Sequence, residues 1–89
     1  TINRPDKLNA LNQQVMSDLN DVMDEVYQNQ DIQSVIITGS GPKAFVAGAD
    51  ISEFSGASVA EGKALAKRGQ DIFFKIEHCP KPVVACVNG

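Results

Sequence analysis

Few side chains in this sequence are placed to do chemistry. There is one histidine, His78, beside the helix-ending "CPKP", and nothing in the sequence sets a nucleophile against it. Two cysteines, Cys79 and Cys86, form no CxxC pair, and with a single histidine they leave no zinc-ligand set. Their simplest reading is two reduced thiols in a cytosol-like compartment. The carboxylates Asp18, Asp21, Asp24 and Glu25 fall mainly on the polar face of a helical stretch, where solvated acids are commonplace. "GSGPKA" (39–44) matches G-x-G-x-x-A after a strand, the dinucleotide fingerprint. That motif needs a helix starting inside the glycines, and Pro42 followed by "VAGAD" does not supply one. "ASVAEGKA" (57–64) has alanine where a P-loop needs its first glycine and alanine again where it needs Ser or Thr, so it reads as helix.

Main-chain chemistry is the remaining option, and "KAFVAGAD" (43–50) is where it could occur. Small residues at Ala47, Gly48 and Ala49 let a ligand approach the backbone, which bulky side chains would prevent. Asp50 and Glu53 have capping-box spacing, so a short helical turn is expected near Asp50, with free N–H groups clustered at its start. An N–H aimed at a polarised carbonyl oxygen would act as an oxyanion-hole donor. A tight loop whose small residues merely pack beneath a neighbour accounts for the same composition.

The elements that must position this loop follow from periodicity. Val15, Met16, Leu19, Val22, Met23 and Val26 recur at offsets of three and four, which predicts a helix from Gln13 to about Asn29 with Asn12 as its N-cap. "SVIIT" (34–38) predicts a buried strand ended by "GSGP". Ser58 and Glu61 open a second helix that runs to about Glu77 and stops at Pro80 and Pro82. Leu65, Ile72, Phe73 and Ile76 share one face of it, with Gly69 allowing close approach. Val83–Val87 is a further buried strand, and the methionines and the Phe73–Phe74 pair read as core. Apolar strands separated by helices indicate an α/β arrangement with parallel strands.

At 89 residues and 43% hydrophobic content the chain is the size of one small globular domain. A net charge of −3 leaves no basic stripe for nucleic acid. No apolar run reaches the roughly 18 residues of a membrane span. "TIN" reads as the tail of a strand and "VNG" as a turn with nothing after it. The expectation is a single partial domain over 1–89, truncated at both ends.

Three blocks, "NRPDKLNALN" (3–12), "ITGSGPKAFVAGADISEF" (37–54) and "KPVVACVNG" (81–89), stand in an order and spacing that strongly resembles the enoyl-CoA hydratase/isomerase, or crotonase, family. The match covers essentially the whole chain and looks like roughly the first third of a bacterial-type short-chain enoyl-CoA hydratase. The resemblance implies the N-terminal part of a crotonase-like spiral of ββα units, assembled as trimers or paired trimers. It implies an acyl-CoA thioester as substrate, no separate cofactor, no metal, and a cytoplasmic location. It makes the backbone N–H of Ala49 an oxyanion donor, with Ala47, Gly48, Ala49, Asp50 and Ile51 lining the coenzyme A site. Lys7, Leu8 and Ala10 would form the facing wall. Lys7 is placed toward the coenzyme A phosphates, where an ordinary loop lysine is the alternative. The second donor and the catalytic glutamates of the family lie beyond Gly89, and Glu53 and Glu61 do not align with them. The expected reaction is hydration of a 2-enoyl-CoA, with the excerpt alone inactive and prone to associate. The same loop serves isomerases, dehalogenases, hydrolases and decarboxylases of the family, and a non-catalytic module acting through association is the remaining reading.

Overall fold

A computed structural model describes the whole chain, Thr1–Gly89. Helix α1 spans Gln13–Gln28, strand β1 Val35–Thr38, helix α2 Val59–Glu77 and strand β2 Val83–Cys86. Two single 3-10 turns, Pro5–Lys7 and Ile51–Glu53, complete the order.

Asn12 caps α1: its backbone is extended and its side-chain oxygen accepts from Val15 N–H at 2.8 Å. At the other end the Asn29 N–H closes on the Glu25 carbonyl at 2.8 Å. The Lys81 ammonium donates to the Val26 and Asn29 carbonyls, placing a cation at the negative end of the helix and tying it to the approach of β2. Helix α2 opens at Ser58, whose Oγ accepts from Glu61 N–H at 3.1 Å. Ser58 and Glu61 have capping-box spacing, but the box is only half made. The Glu61 carboxylate takes the Ser58 hydroxyl at 3.2 Å instead of reaching back to the cap's backbone N–H.

The two strands pair in parallel, Val35 opposite Val83 through Thr38 opposite Cys86, with α2 as the crossover. Ile2 adds a single parallel bridge at Gly39, just past the end of β1, so "TIN" does join the sheet as a strand end would. The two helices lie against each other, Met23, Val26 and Ile72 are their buried residues, and polar ties join them. Tyr27 donates its hydroxyl to the Lys75 carbonyl at 2.6 Å, and the Lys75 ammonium reaches Asn20 Oδ1 and Asp24 Oδ1 at 2.6 and 2.7 Å. Asp24 is therefore an interhelical contact and not simply a solvated acid.

Several burial expectations are corrected. The strands are not enclosed: Ile36 and Val84, opposite one another on one sheet face, are 68% and 55% exposed, and Val87 is also open. A two-stranded sheet with no layer over one face cannot bury that face. Phe73 and Phe74 are about half exposed, so they are not core, although Phe74 stacks on the His78 ring at 5.8 Å. Of the two methionines, Met23 is fully buried and Met16 only partly. A Cβ on Gly69 would meet Met16 Cε at an ordinary 4.0 Å, so close helix approach does not require glycine there. No helix is long and apolar enough to cross a membrane.

The "GSGP" turn is held from both ends of the chain. Asn9, at φ 58° and 1% exposed, accepts the Arg4 N–H at 2.8 Å. It donates to the Ser40 and Ala44 carbonyls at 2.9 and 2.8 Å. Asn88 accepts the Gly39 N–H at 3.0 Å and donates to the Gly41 and Ala44 carbonyls at 2.8 and 3.2 Å. Gly39 has no room for a side chain, because a Cβ would lie 2.4 Å from the Phe45 carbonyl oxygen.

Candidate functional site

The turn delivers residues 46–50 alongside residues 8–11. Ala47 N–H donates to the Leu8 carbonyl at 3.1 Å, Leu11 N–H to Gly48 at 2.8 Å, and Asp50 N–H to Leu11 at 2.9 Å. Leu11 and Ala49 form a parallel bridge. In such a ladder the residue bonded on both sides is Leu11, and its opposite number keeps its own N–H on the far edge. Ala49 N–H accordingly has no acceptor within the chain, and neither has that of Gly48. Gly48 sits at φ +132°, a conformation that favours glycine.

Asp50 anchors the outgoing end. Its Oδ1 accepts from the Ser52 N–H at 3.1 Å and the Ser52 hydroxyl at 2.6 Å, so the expected turn at Ile51–Glu53 forms, but its cap is made to Ser52 and not by an Asp50–Glu53 capping box. Its Oδ2 accepts from Arg4 NH1 at 3.1 Å. The Ser52 hydroxyl, the Arg4 guanidinium and the Ser52 amide hold the Asp50 carboxyl below its usual 3.8. A lowered folded value means that this contribution to loop order is complete above 3.8 and is lost only as pH falls through the lower folded value. A carboxyl NMR titration should show the Asp50 midpoint below 3.8, with Ser52→Ala and Arg4→Met each raising it. A midpoint at or above 3.8 would contradict the contacts described.

Gly48 and Ala49 open onto a cavity of about 500 Å³ between the start of α1, the 46–49 loop and α2. Its walls are mainly apolar, with Leu11, Met16, Phe54 and Phe73 prominent, and its charged side chains are Glu53 and Arg68. Arg68 is engaged by Ser17 Oγ at 2.7 Å. An apolar slot with unpaired N–H groups at its edge can accept an apolar chain ending in a carbonyl.

Of the site residues expected from sequence, only Gly48 and Ala49 border this cavity. Ala47 and Leu8 are joined by their backbone bond, and Leu8 lines a smaller cleft of about 150 Å³ beside the 40–44 turn. The Ala10 carbonyl accepts from Arg4 NH1 at 2.8 Å. Lys7 is exposed at the end of the first 3-10 turn, and Ile51 projects outward at 82% exposure. Sequence reasoning missed Arg4, Asn9 and Asn88, which fix the loop, and Leu11, Met16 and Phe54 on the cavity wall. The apolar periodicity around Met16 was visible, but its exposure to a cavity was not.

This βαβ unit superimposes on crotonase-fold structures. An enoyl-CoA hydratase from Bacillus anthracis matches with a TM-score of 0.92 at 30% identity, over 98% of this chain and 34% of that one. An enoyl-CoA hydratase/isomerase from Xanthobacter autotrophicus Py2 matches at 0.89 and 34% identity, over 98% and 33%. The fold is that of a crotonase-like α/β protein. The family model for enoyl-CoA hydratase/isomerase covers residues 1–89, and the chain belongs to that family. It is 44% identical over 89 residues to the short-chain-enoyl-CoA hydratase of Clostridium acetobutylicum, covering 100% of this chain and 34% of that protein. It is 43% identical over 88 residues to the crotonyl-CoA hydratase of Syntrophomonas wolfei, covering 99% and 34%. The chain thus spans about a third of the length of the curated relatives it matches.

Proposed function

We propose that residues 1–89 are the acyl-CoA-binding part of an enoyl-CoA hydratase. Water adds across the 2,3 double bond of a 2-enoyl-CoA, the hydroxyl to C3 and the proton to C2, through an enolate-like state. The observation that carries the reading is the Ala49 N–H, unpaired within the chain at the edge of an apolar cavity. Negative charge gathers on the thioester oxygen in that state, and a fixed donor aimed at it lowers the barrier. Small neighbours at Ala47 and Gly48 keep the approach open. Asp50 and Ile51 continue the loop on the coenzyme A side, and Lys7, Leu8 and Ala10 form the facing wall. The coenzyme A arrives as part of the substrate, and trimeric or hexameric assembly accompanies the reading. Names of the relatives support hydration in particular, since a single oxyanion donor serves every thioester enolate alike.

Calorimetric titration with crotonyl-CoA tests binding by the 89-residue chain, and enoyl absorbance loss tests hydration by the complete reading-frame product. Binding by the first and turnover by the second are expected, with no turnover by the 89-residue chain alone. Failure of both to bind the thioester would reduce the chain to a structural or association module.

A further inference from the structure

Arg4 lies next to the bridge that presents Ala49; its backbone caps the Pro5–Lys7 turn, which leaves its side chain free for other contacts. Its NH1 donates to the Ala10 carbonyl at 2.8 Å and to Asp50 Oδ2 at 3.1 Å. Ala10 precedes Leu11 and Asp50 follows Ala49, so one guanidinium nitrogen spans the paired segments beside the Leu11–Ala49 bridge. Both side chains are largely shielded, at 20% and 18% exposure. The ends of this tie are themselves fixed. Asn9 accepts the Arg4 N–H, and Ser52 holds the other oxygen of Asp50. Residues 47–50 are held against 8–11 by the backbone bonds of the ladder, and a chain of contacts running Asn9, Arg4, Asp50, Ser52 braces their separation and tilt.

Resting on the reading given under Proposed function, we propose that Arg4 is a positioning residue for the Ala49 oxyanion donor, acting through Asp50 and the Ala10 carbonyl. Arg4 touches no reacting atom. It fixes the direction of an N–H whose value depends on placement, and a misplacement of about 1 Å can cost on the order of 10²-fold in rate. Ground-state binding of the coenzyme A portion does not depend on that direction, so the loss falls on kcat. A guanidinium holds a carbonyl and a carboxylate from one rigid plane, whereas an ammonium on a flexible stem holds them loosely. Lysine is accordingly a partial replacement.

The test uses the complete reading-frame product with crotonyl-CoA for kinetics and cinnamoyl-CoA as a bound chromophore whose absorption reports carbonyl polarisation. Arg4→Met is expected to lower kcat about 10- to 100-fold with KM within about threefold, and to shrink the red shift of bound cinnamoyl-CoA. Arg4→Lys should recover part of both. Asp50→Asn keeps an acceptor for Ser52 and should act in the same direction. The double variant should be no worse than Arg4→Met, because both act through one contact. Wild-type kcat and red shift in Arg4→Met, or losses confined to KM or to the folded fraction, would overturn the proposal. Should Arg4→Met fail to fold, Asp50→Asn with unchanged kcat and red shift would overturn it equally. Loss of activity on removing the Ala49 N–H, with Arg4→Met unaffected, rejects the positioning role alone. Insensitivity to both changes rejects the oxyanion reading as well.

Discussion

Replacing the Ala49 amide with an ester, by placing lactate at that one position in the complete reading-frame product, should reduce crotonyl-CoA turnover about 10²–10³-fold. That corresponds to about 2.7–4 kcal/mol of transition-state stabilisation carried by one donor. The substitution is selective because Ala49 N–H has no acceptor within the chain, so no internal bond from that group is lost. One side effect is foreseeable. The Gly48 carbonyl becomes an ester carbonyl, a weaker acceptor for Leu11 N–H, which now bonds it at 2.8 Å. That weakening should appear as a small drop in melting temperature and not as a fall in kcat. KM within a few-fold of the parent is expected, since the donor matters most where negative charge has developed. Retained kcat in the ester variant would remove Ala49 from the chemistry.

Asn9→Ala should be the most damaging single change to the architecture that carries the loop. Asn9 is almost wholly buried and makes three hydrogen bonds, to Arg4 N–H and to the Ser40 and Ala44 carbonyls. Truncation leaves the Ala44 carbonyl with Asn88 but orphans Arg4 N–H and the Ser40 carbonyl. A buried group left unpaired costs about 1–3 kcal/mol. Alanine also lacks the local bonding that lets asparagine occupy φ 58°, which adds about 1 kcal/mol or more. The expected total is about 3 kcal/mol or more, read from urea denaturation followed by circular dichroism. Asn9→Gly should recover the backbone share but not the hydrogen-bond share. A loss below about 1 kcal/mol in Asn9→Ala would mean that the turn is held some other way.

Local signals carried the elements well. Helix α1 was legible from its apolar offsets and Asn12, and α2 from Ser58 at one end and Pro80 and Pro82 at the other. Both strands announced themselves as β-branched runs. What a run such as "PVVACV" does not encode is whether a second layer covers it, and here Val84 and Ile36 look outward. The loop was legible in outline because small residues at 47–49 and an acid at 50 are a local pattern. Its supports were not. Arg4 meets Asp50 across 46 positions and Asn88 meets Gly41 across 47, pairings that exist only once the strands have their register. Asn9 looks like any turn asparagine until its three partners are in place. Placement of the donor amide came from the resemblance, whereas its free N–H is a property of which side of the ladder Leu11 occupies.

The Ala44 carbonyl, shared by Asn9 and Asn88, also imposes a timetable. A chain made from its N-terminus has Asn9, α1 and β1 available as soon as the 39–44 turn is finished. Asn88 follows Ala44 by 44 positions, about 2–9 s at the usual pace of synthesis. Through that interval the segment leading to Ala49 is fastened on one side only. Within residues 1–89 the turn that leads into this loop is thus locked late, with Asn88 as its latch.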